Sequence, residues 1–593
     1  MLPAFVSQTS DRPGWGHAGW LPLAIFVVAV VATAALHAPT LHSGLVADDH
    51  LQVAMLEGNY PVARAPWDLY AFSRGTEDME PLMRRGVLPW WSHPDLRLSA
   101  LRPLSSLTLW LDVVPLKLSP WARHLHSLLW LFGFVGVAHL LFQRLLEKRA
   151  ALLATLILAV DPAHVWPAGW LANRTALISA TLGLVALLLH LRHQEKRTTA
   201  TAIAVPLVFG LALLSGEYAL SIAGLALGCE LLVRGKNWRA RLRSLAPWFG
   251  PALLYFALHK LLGYGAYGSS VYVDPISSPL KYLLAIILRL PALLASELFL
   301  LPSELVHGAL VLSFGPSLLI VVLLCALFFL LAALALRGQP DARRVSIALG
   351  VGLLASLLPL VATLPSSRLL VVPSVAGAGL LATVASSLLF APRRQRLVRS
   401  GALAFGAALL LWHLPLAAMH TRTASAAWTE QHTRIAELVD SAELRADASS
   451  WVLLNAAQPT AIYLPWMRAQ SQRPNYAVLT ICPEPIRVRR VGARAIELVA
   501  GERGMLTDPA SRLFRGLETP FPTTPVETGD ARVQVLDRTE FGVKRIRVDF
   551  ARALDDPALM LLALDGGRLK PISLPEVGGE VTIEGLAPVR PRP

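Results

Sequence analysis

The stretch Leu21–Ala38, LPLAIFVVAVVATAALHA, is an apolar run long enough to cross the hydrocarbon core of a bilayer. Similar runs recur through the first two-thirds of the 593 residues. The chain is 54% hydrophobic and only 16% charged, and its mean hydropathy is +0.51. A soluble protein of this size could not cover its surface with so few charges. The composition therefore predicts an α-helical polytopic membrane protein.

The net charge of +14 would ordinarily suggest a nucleic-acid partner. The basic residues instead cluster in short segments between apolar runs, which is the pattern of cytoplasmic loops in membrane proteins. We therefore expect no nucleic acid as a partner, and membrane lipid around the chain. Cys229, Cys325 and Cys482 have neither metal-ligand nor disulfide-framework spacing. No metal site and no cofactor are expected.

Apolar runs and basic loops together predict about eleven transmembrane helices. The predicted spans are 20–38, 124–143, 150–160, 175–191, 199–215, 218–233, 246–262, 315–336, 345–362, 369–391 and 400–418. The stretch 280–302 is ambiguous, because it is apolar but includes Glu297 and other charges. Counting it as a span would place the basic loops Arg337–Arg344 and Arg393–Arg399 outside the cell, so we interpret it as interfacial or re-entrant.

The same pattern predicts the organisation of the chain. Residues 1–19 are expected to be a cytoplasmic N-terminal segment, and 20–418 a transmembrane domain whose first extracytoplasmic loop, 39–103, contains amphipathic helices. Residues 419–593 are polar and contain short alternating runs such as Arg532–Leu536, RVQVL, which predict an extracytoplasmic soluble domain that is β-rich or α/β. Because Arg and Ala are abundant and Lys is rare, we expect a bacterial cytoplasmic (inner) membrane.

The acidic pair Asp48–Asp49 opens the first outside loop. Carboxylates at a membrane boundary are costly to desolvate, so they mark a functional site, an ion pair or a solvated helix-capping turn. Transfer of a sugar to a hydroxyl needs a base, and a carboxylate at this depth can reach a lipid-borne donor. Later in the loop, His93, Asp95 and Arg102 accompany Trp residues that suit either sugar stacking or an interfacial belt.

Three further loops contribute candidate residues for substrate or donor-phosphate binding. His164 and Arg174 lie in the next outside loop, where snorkelling of the arginine to the interface is the alternative. Glu217 lies between two short spans and is either a helix cap or a site residue. Arg368 begins a later span, where it is either a phosphate ligand or an interface anchor.

These elements resemble the GT-C class of membrane glycosyltransferases, in particular its protein O-mannosyltransferase-like (glycosyltransferase family 39-like) branch. The resemblance covers roughly residues 20–392. It is carried by Ala47–His50 (ADDH), Leu101–Leu104 (LRPL), Asp161–His164 (DPAH) with Asn173-Arg174, Leu214–Tyr218 (LSGEY) and Ser367–Ser374 (SRLLVVPS). The chain departs from the family pattern at Gly216, where a lysine is usual, and at Leu370 and Val372, where tyrosines are usual.

The resemblance implies an inverting transferase that uses a polyprenyl-phosphate-linked sugar as donor. The catalytic base would be Asp48 or Asp49, and the donor phosphate would be held by Arg102, Arg174 and Arg368. The acceptor would be a protein, lipid or glycan on the extracytoplasmic face. Two alternatives remain open, a non-catalytic membrane scaffold and a transporter of a lipid-linked substrate; charges in mid-helix and internal symmetry would favour the transporter.

Overall fold

The computed structural model describes residues 20–585 except 234, 391–395, 441, 443, 446–447, 457, 468–473, 541 and 566–567. The predicted cytoplasmic segment 1–19 lies outside the described residues. The chain forms two compact units. The first contains the described residues up to Gly44, 102–261 and 273–430, and the second contains 45–101, 262–272 and the described residues from Gln431 onward. The predicted domain boundary near 418 stays a prediction, since the first outside loop is grouped with the C-terminal region.

Helices dominate the first unit, and strands the second. The helices are α1 Trp20–His37, α2 Asp48–Leu56, α3 Thr76–Arg84, α4 Pro103–Val113, α5 Pro120–Leu145, α6 Lys148–Ala159, α7 Val165–Gly169, α8 Arg174–Glu195, α9 Thr199–Leu213, α10 Leu220–Leu232, α11 Trp238–Leu261, α12 Pro279–Phe299, α13 Ser303–Leu312, α14 Phe314–Ala335, α15 Pro340–Leu357, α16 Pro373–Phe390, α17 Arg396–Leu411, α18 Ala417–Asp440, α19 Gln458–Met467 and α20 Pro509–Phe514. The strands are β1 Ala71–Arg74, β2 Arg97–Ser99, β3 Gly265–Tyr267, β4 Ser450–Leu453, β5 Asn475–Val478, β6 Ile486–Gly492, β7 Ala495–Val499, β8 Val526–Thr528, β9 Ala531–Arg538, β10 Val543–Phe550, β11 Leu559–Asp565, β12 Arg568–Pro571 and β13 Glu580–Ile583.

Within the described part of the chain, eight helical segments are long and apolar enough to cross a membrane. A ninth is possible if α6 and α7, bent by 44° at their junction, are counted together. All eleven predicted spans are present as helices. Seven of them are among the eight candidates, and the eighth candidate is α12. The other four differ because α6 is a candidate only together with α7, α9 and α10 have only 15 and 13 residues, and α11 has a basic first half. The class, a multi-pass helical membrane protein with a sheet-rich C-terminal region, is confirmed.

The ambiguous stretch forms one continuous helix, α12, of 21 residues. Its length and composition fit a membrane span. The expected interfacial placement therefore stays a prediction. Three charges interrupt its apolar run, and two of them, Arg289 and Glu297, are nevertheless buried, at 8% and 5% exposed. Burial of a charged side chain within an apolar helix is costly, so such residues mark candidate functional positions.

The core of the first unit is built on close contact between helices that expose small residues. A Cβ atom on Gly228 of α10 would lie 2.5 Å from the Ala348 carbonyl oxygen of α15, and one on Gly224 would lie 2.4 Å from the Ser356 amide. Small residues let helix backbones approach closely, which is how helices associate where lipid removes the hydrophobic drive. Helix α16 packs against α15, and its residues from Pro373 to Leu388 are all buried.

The second unit contains three sheets. A six-stranded antiparallel sheet has the order β13-β6-β7-β10-β9-β8, and a mixed four-stranded sheet has the order β12-β11-β4-β5, in which β4 is parallel to both of its neighbours. The predicted strand 532–536 lies within β9. The first outside loop adds β1 and β2 to β3 in a small third sheet. The C-terminal region was predicted to be β-rich or α/β. It is rich in sheet, and its four-stranded sheet contains both parallel and antiparallel pairs.

The first outside loop packs onto the C-terminal region of the same unit. The indole Nε1 of Trp90 donates to the Leu479 carbonyl at 2.9 Å, and Arg515 donates to the Trp91 and Ser92 carbonyls at 2.5 and 2.7 Å. Both tryptophans are 1% exposed. They are core residues of this unit, so neither the interfacial belt nor sugar stacking describes them.

Candidate functional site

The acidic pair begins α2, in the second unit. Asp49 is fully buried, and its Oδ2 accepts the Val46 backbone amide at 2.9 Å. A carboxylate in the first turn of a helix is favoured by the helix dipole. Between these residues, Ala47 has a φ of +46°, which an L-residue adopts only under strain. The hydrogen bond from the Val46 amide to Asp49 therefore closes the turn before α2, and the strained Ala47 immediately precedes Asp48.

Asp48 is half-buried and is hydrogen-bonded by a residue more than 400 positions away. The Tyr463 hydroxyl of α19 donates to Asp48 Oδ1 at 2.5 Å. Burial, and then the negative charge of Asp48, raises the pKa of Tyr463 well above its usual value. The phenol therefore remains a donor, and a donor to a carboxylate stabilises its charged form. No sequence pattern pointed to Tyr463.

His93 and Asp95 lie in the second unit and are used within the loop. The Asp95 amide donates to Nδ1 of His93 at 3.0 Å, and Asp95 accepts from the Thr76 amide at 3.2 Å. Arg97 approaches Asp95 at 3.4 Å. The pKa of His93 is lowered, by burial first and by Arg515 second. A neutral imidazole that accepts a backbone amide has a local structural role here.

In the first unit, two predicted residues meet as an ion pair. Arg102 Nε donates to Glu217 Oε2 at 2.8 Å, and the Tyr255 hydroxyl donates to the other carboxylate oxygen at 3.2 Å. Burial alone would raise the pKa of Glu217, but the charge and hydrogen bond of Arg102 hold it below its usual value. Glu217 is therefore ionised, and it already engages the Arg102 Nε that was expected to bind donor phosphate.

Arg174 is also engaged by protein groups. Its Nη1 lies 2.6 Å from Oδ2 of Asp112, and it donates further to the Ser127 hydroxyl at 2.9 Å and the Arg123 carbonyl at 2.7 Å. Arg174 is 2% exposed and Asp112 is fully buried. Snorkelling does not explain such a residue, and its geometry is that of a structural pair that ties α8 to α4 and α5.

A different arrangement surrounds Arg368. Its guanidinium carbon lies 5.3 Å from the Trp170 ring centroid, and its Nη1 lies 3.5 Å from Asn173 Oδ1, which also accepts the Tyr218 hydroxyl at 3.1 Å. Among the described residues, three buried donors of this group have no partner: Trp170 Nε1, Asn173 Nδ2 and Arg368 Nε. We call Trp170, Asn173 and Arg368 the donor cluster.

His164 lies in the same unit, between α6 and α7. It is fully buried, and neither ring nitrogen has a hydrogen-bond partner among the described residues. Its ring lies edge-on to Phe134 at 5.4 Å. The predicted binding residues of the first unit thus separate into the Arg102–Glu217 pair, the Arg174–Asp112 pair, His164 and the donor cluster around Arg368. The described residues contain no group of three or more His, Cys, Asp or Glu side chains arranged to hold a metal ion.

Comparisons with known proteins give structural neighbours only. No protein-family model matches the chain, and no curated protein matches it by sequence. Among solved structures, the oligosaccharyltransferase AglB of Archaeoglobus fulgidus in complex with an inhibitory peptide and a dolichol-phosphate is 11% identical, with a TM-score of 0.42 over 78% of this chain and 65% of that one. The same enzyme tethered to an acceptor peptide is 12% identical, with a TM-score of 0.42 over 79% of this chain and 65% of that one.

A second kind of neighbour is ArnT of Cupriavidus metallidurans bound to undecaprenyl phosphate. It is 14% identical, with a TM-score of 0.35 over 91% of this chain and all of that one. Both kinds of neighbour are GT-C glycosyltransferases, the class that the sequence resembles. This chain spans just under two-thirds of the length of AglB. The resemblance to the protein O-mannosyltransferase-like branch stays a prediction.

Proposed function

We propose that this protein is a membrane glycosyltransferase that moves a sugar from a polyprenyl-phosphate carrier to a hydroxyl acceptor, and that the donor cluster holds the carrier phosphate. The observation that carries the proposal is the set of three buried donors without partners on Trp170, Asn173 and Arg368. A buried donor left unsatisfied costs about 1–3 kcal/mol. A ligand rich in acceptor oxygens would remove that cost.

Phosphate fits the donor cluster better than a neutral ligand does. Arg368 supplies a positive charge, and a guanidinium gives charge-assisted hydrogen bonds to phosphate that are about twice as strong as neutral ones. The Asn173 amide is oriented by two donors on its Oδ1, which leaves Nδ2 to donate. Arg102 and Arg174 are less suited, because Glu217 and Asp112 already pair with them.

The base in this proposal is Asp48. Asp49 is fully buried and closes the turn, whereas Asp48 is half-buried and keeps one oxygen for Tyr463. The acceptor hydroxyl would give its proton to Asp48 as its oxygen attacks the anomeric carbon. The bond from that carbon to the phosphate oxygen breaks, and the carrier phosphate leaves with the bonding electrons. Attack opposite the leaving phosphate inverts the anomeric configuration.

The surroundings of the reaction belong to the same proposal. The acceptor is a protein, lipid or glycan on the extracytoplasmic face of a bacterial inner membrane, and the C-terminal region lies on that face. The positive-inside distribution of basic loops supports this orientation. A chemical labelling experiment with single cysteines in the loop 196–200 and in the C-terminal region would test it independently of activity.

The test of function is transfer of label from a panel of radiolabelled polyprenyl-phosphate sugars in membranes that contain the protein. We expect transfer by the wild-type protein, and a loss of at least about 100-fold in Asp48→Asn, because general-base catalysis contributes about 10²–10⁴-fold. Arg368→Gln should weaken donor binding. Arg192→Gln, a change at an exposed arginine in the last turn of α8, is the matched control and should leave transfer unchanged.

Three outcomes separate the proposal from its rivals. Full transfer by Asp48→Asn would remove Asp48 from the role of base and direct attention to Asp49. Equal donor affinity in Arg368→Gln and Arg192→Gln would remove the donor cluster from the phosphate site. Absence of transfer from every donor, with folded protein and a broad acceptor extract, would favour the non-catalytic scaffold.

A further inference from the structure

The first unit contains a cavity of about 180 Å³ at the C-terminal end of α12. The bend between α6 and α7, the start of α13, the segment that leads into α16, and α18 form its other walls. Its polar lining is Asp161, Ser296, Glu297, Glu304, Ser367 and His420, and Trp166 forms part of the apolar wall. A single water needs about 10–15 Å³, so the cavity has room for a small organic molecule.

Glu297 is the residue that makes this cavity unusual. Its side chain lines the cavity and is 95% buried, since the residue is 5% exposed. In the part of the chain that the structure describes, burial and the charge of Asp161 act on its carboxylate, and no hydrogen bond or cation does. The carboxylate has a place because residue 377 is glycine; a Cβ there would lie 1.8 Å from Glu297 Oε1. A buried ionisable group within an apolar helix points to a ligand.

Asp161 adds a second carboxylate to the same cavity. Its Oδ1 accepts the Ala163 amide at 2.8 Å and so caps the turn, while the charges of Asp161 and Glu297 repel each other. Two carboxylates in a medium of low dielectric constant cannot both ionise without a cation between them. The cavity therefore either keeps a carboxyl group protonated or receives a positive charge.

Two other features make this cavity attractive to a positive charge. The cavity lies beside the last turn of α12, where the helix dipole presents partial negative charge. Trp166 lines it as well, and tryptophan attracts cations through its ring. Glu304 is different, because Ser366 and Ser367 already donate to its carboxylate at 2.7 and 3.1 Å.

We propose that this cavity is a binding site for a compact organic ammonium group, with Glu297 and Asp161 as its counter-charges. Its width and aromatic wall suit an ammonium that carries a few carbon atoms. A compact metal cage is not available, since no cluster of three His, Cys, Asp or Glu ligands occurs among the described residues. The site goes beyond the proposed transferase, because the donor cluster is built for an anion and this cavity for a cation.

The experiment is ligand-detected NMR and calorimetric titration of the full-length protein in detergent micelles. Ethylammonium chloride is the probe, and ethanol, which has the same number of heavy atoms but no charge, is the neutral control. We expect saturable binding of ethylammonium and none of ethanol. Glu297→Gln should weaken binding at least 10-fold. Glu195→Gln, at a half-exposed carboxylate paired with Arg144, should bind as the wild type does.

The proposal has clear contrary results. Equal affinity in Glu297→Gln and wild type, or no saturable binding by the wild type, would overturn it. Sodium chloride in a separate titration distinguishes the sources of charge; binding of sodium without binding of ethylammonium would make this an inorganic cation site and overturn the ammonium assignment. Asp161→Asn, with folding checked by size-exclusion chromatography, is the second variant and should also weaken binding.

Discussion

The pair of Arg174 and Asp112 offers a test that separates a structural role from the phosphate-binding role expected from the sequence. The perturbation is Arg174→Met, which removes the guanidinium and keeps a long apolar side chain. Asp112, which is fully buried, would lose its partner at 2.6 Å. Breaking a buried pair by removing one member costs about 3–5 kcal/mol, because an uncompensated charge remains. We expect a loss of that size in the free energy of unfolding.

The assay is unfolding in mixed detergent micelles with increasing sodium dodecyl sulfate, followed by far-ultraviolet circular dichroism. A double variant, Arg174→Met with Asp112→Asn, leaves no charge behind and should recover about 1–3 kcal/mol relative to Arg174→Met alone. His126 contacts the other oxygen of Asp112 at 2.8 Å and provides a partial partner in the single variant. Its presence places the expected loss toward the lower end of the range.

The pH dependence of the same variant has a definite sign. Burial alone would raise the pKa of Asp112, but the hydrogen bond from His126 and the charge of Arg174 hold it below the usual value. A lowered pKa in the folded state contributes stability above the unfolded pKa, near 3.9, and that stability is lost as the pH falls through the folded pKa. Without Arg174 the lowering weakens, so the defect should be about equal at pH 7 and pH 5 and should shrink as the pH falls below the unfolded pKa, near 3.9.

The reasoning would be refuted by an Arg174→Met protein that unfolds within about 1 kcal/mol of the wild type, well below the cost of a broken buried pair. Stability that is unchanged by the second substitution would refute it as well. If stability is unchanged but affinity for the lipid-linked donor falls, Arg174 contacts the donor, as the family resemblance implies. Transfer activity per folded molecule is the measurement that separates these two roles.

Three further changes test the second unit. Tyr463→Phe should move the acidic limb of the pH–rate profile to higher pH, because Asp48 loses a donor that favours its charged form. An unchanged profile would make the contact merely structural. Gly86→Ala should destabilise the protein by about 2–4 kcal/mol in the same micelle assay. The φ of Gly86 is +71°, and a Cβ atom there would lie 2.6 Å from the Tyr476 carbonyl oxygen. An unchanged stability would show that the loop does not pack there. Ala47→Gly should relieve about 1 kcal/mol of backbone strain and raise the unfolding midpoint, and a lower midpoint would contradict the strained turn.

Much of the helical fold could be predicted because the signal is physical and local. A run such as 20–38 needs only its length and apolar composition to be recognised, and the structure has α1 at Trp20–His37. Helices α9 and α10 were predicted as membrane spans, but they have only 15 and 13 residues. Their hydropathy indicates an apolar helix without indicating where that helix ends. The strand at 532–536 could be predicted from its alternation, since one face of a sheet strand is buried and the other is exposed, and it lies within β9.

The candidate site was less predictable because its contacts join distant positions. The resemblance selected Arg102, Arg174 and Arg368 alike, since an arginine at an outer helix end looks the same whether it binds phosphate or a protein carboxylate. What distinguishes Arg368 is that its buried Nε has no partner among the described residues, while Asp112 pairs with Arg174 at 2.6 Å. No sequence pattern indicates Tyr463 as a site residue, because it is far from Asp48 in the chain and meets it only in the folded structure.

The choice between Asp48 and Asp49 shows why two neighbouring identical residues need a structure to be told apart. Successive residues at a helix start point in directions about 100° apart, so only one can fold back on the preceding turn. Asp49 does so and accepts the Val46 amide, which lies two residues before the first residue of α2. Full burial denies Asp49 contact with an acceptor hydroxyl. Asp48 keeps partial exposure and one hydroxyl partner, and exchange of Asp49 for Asn should therefore impair folding more than the chemical step.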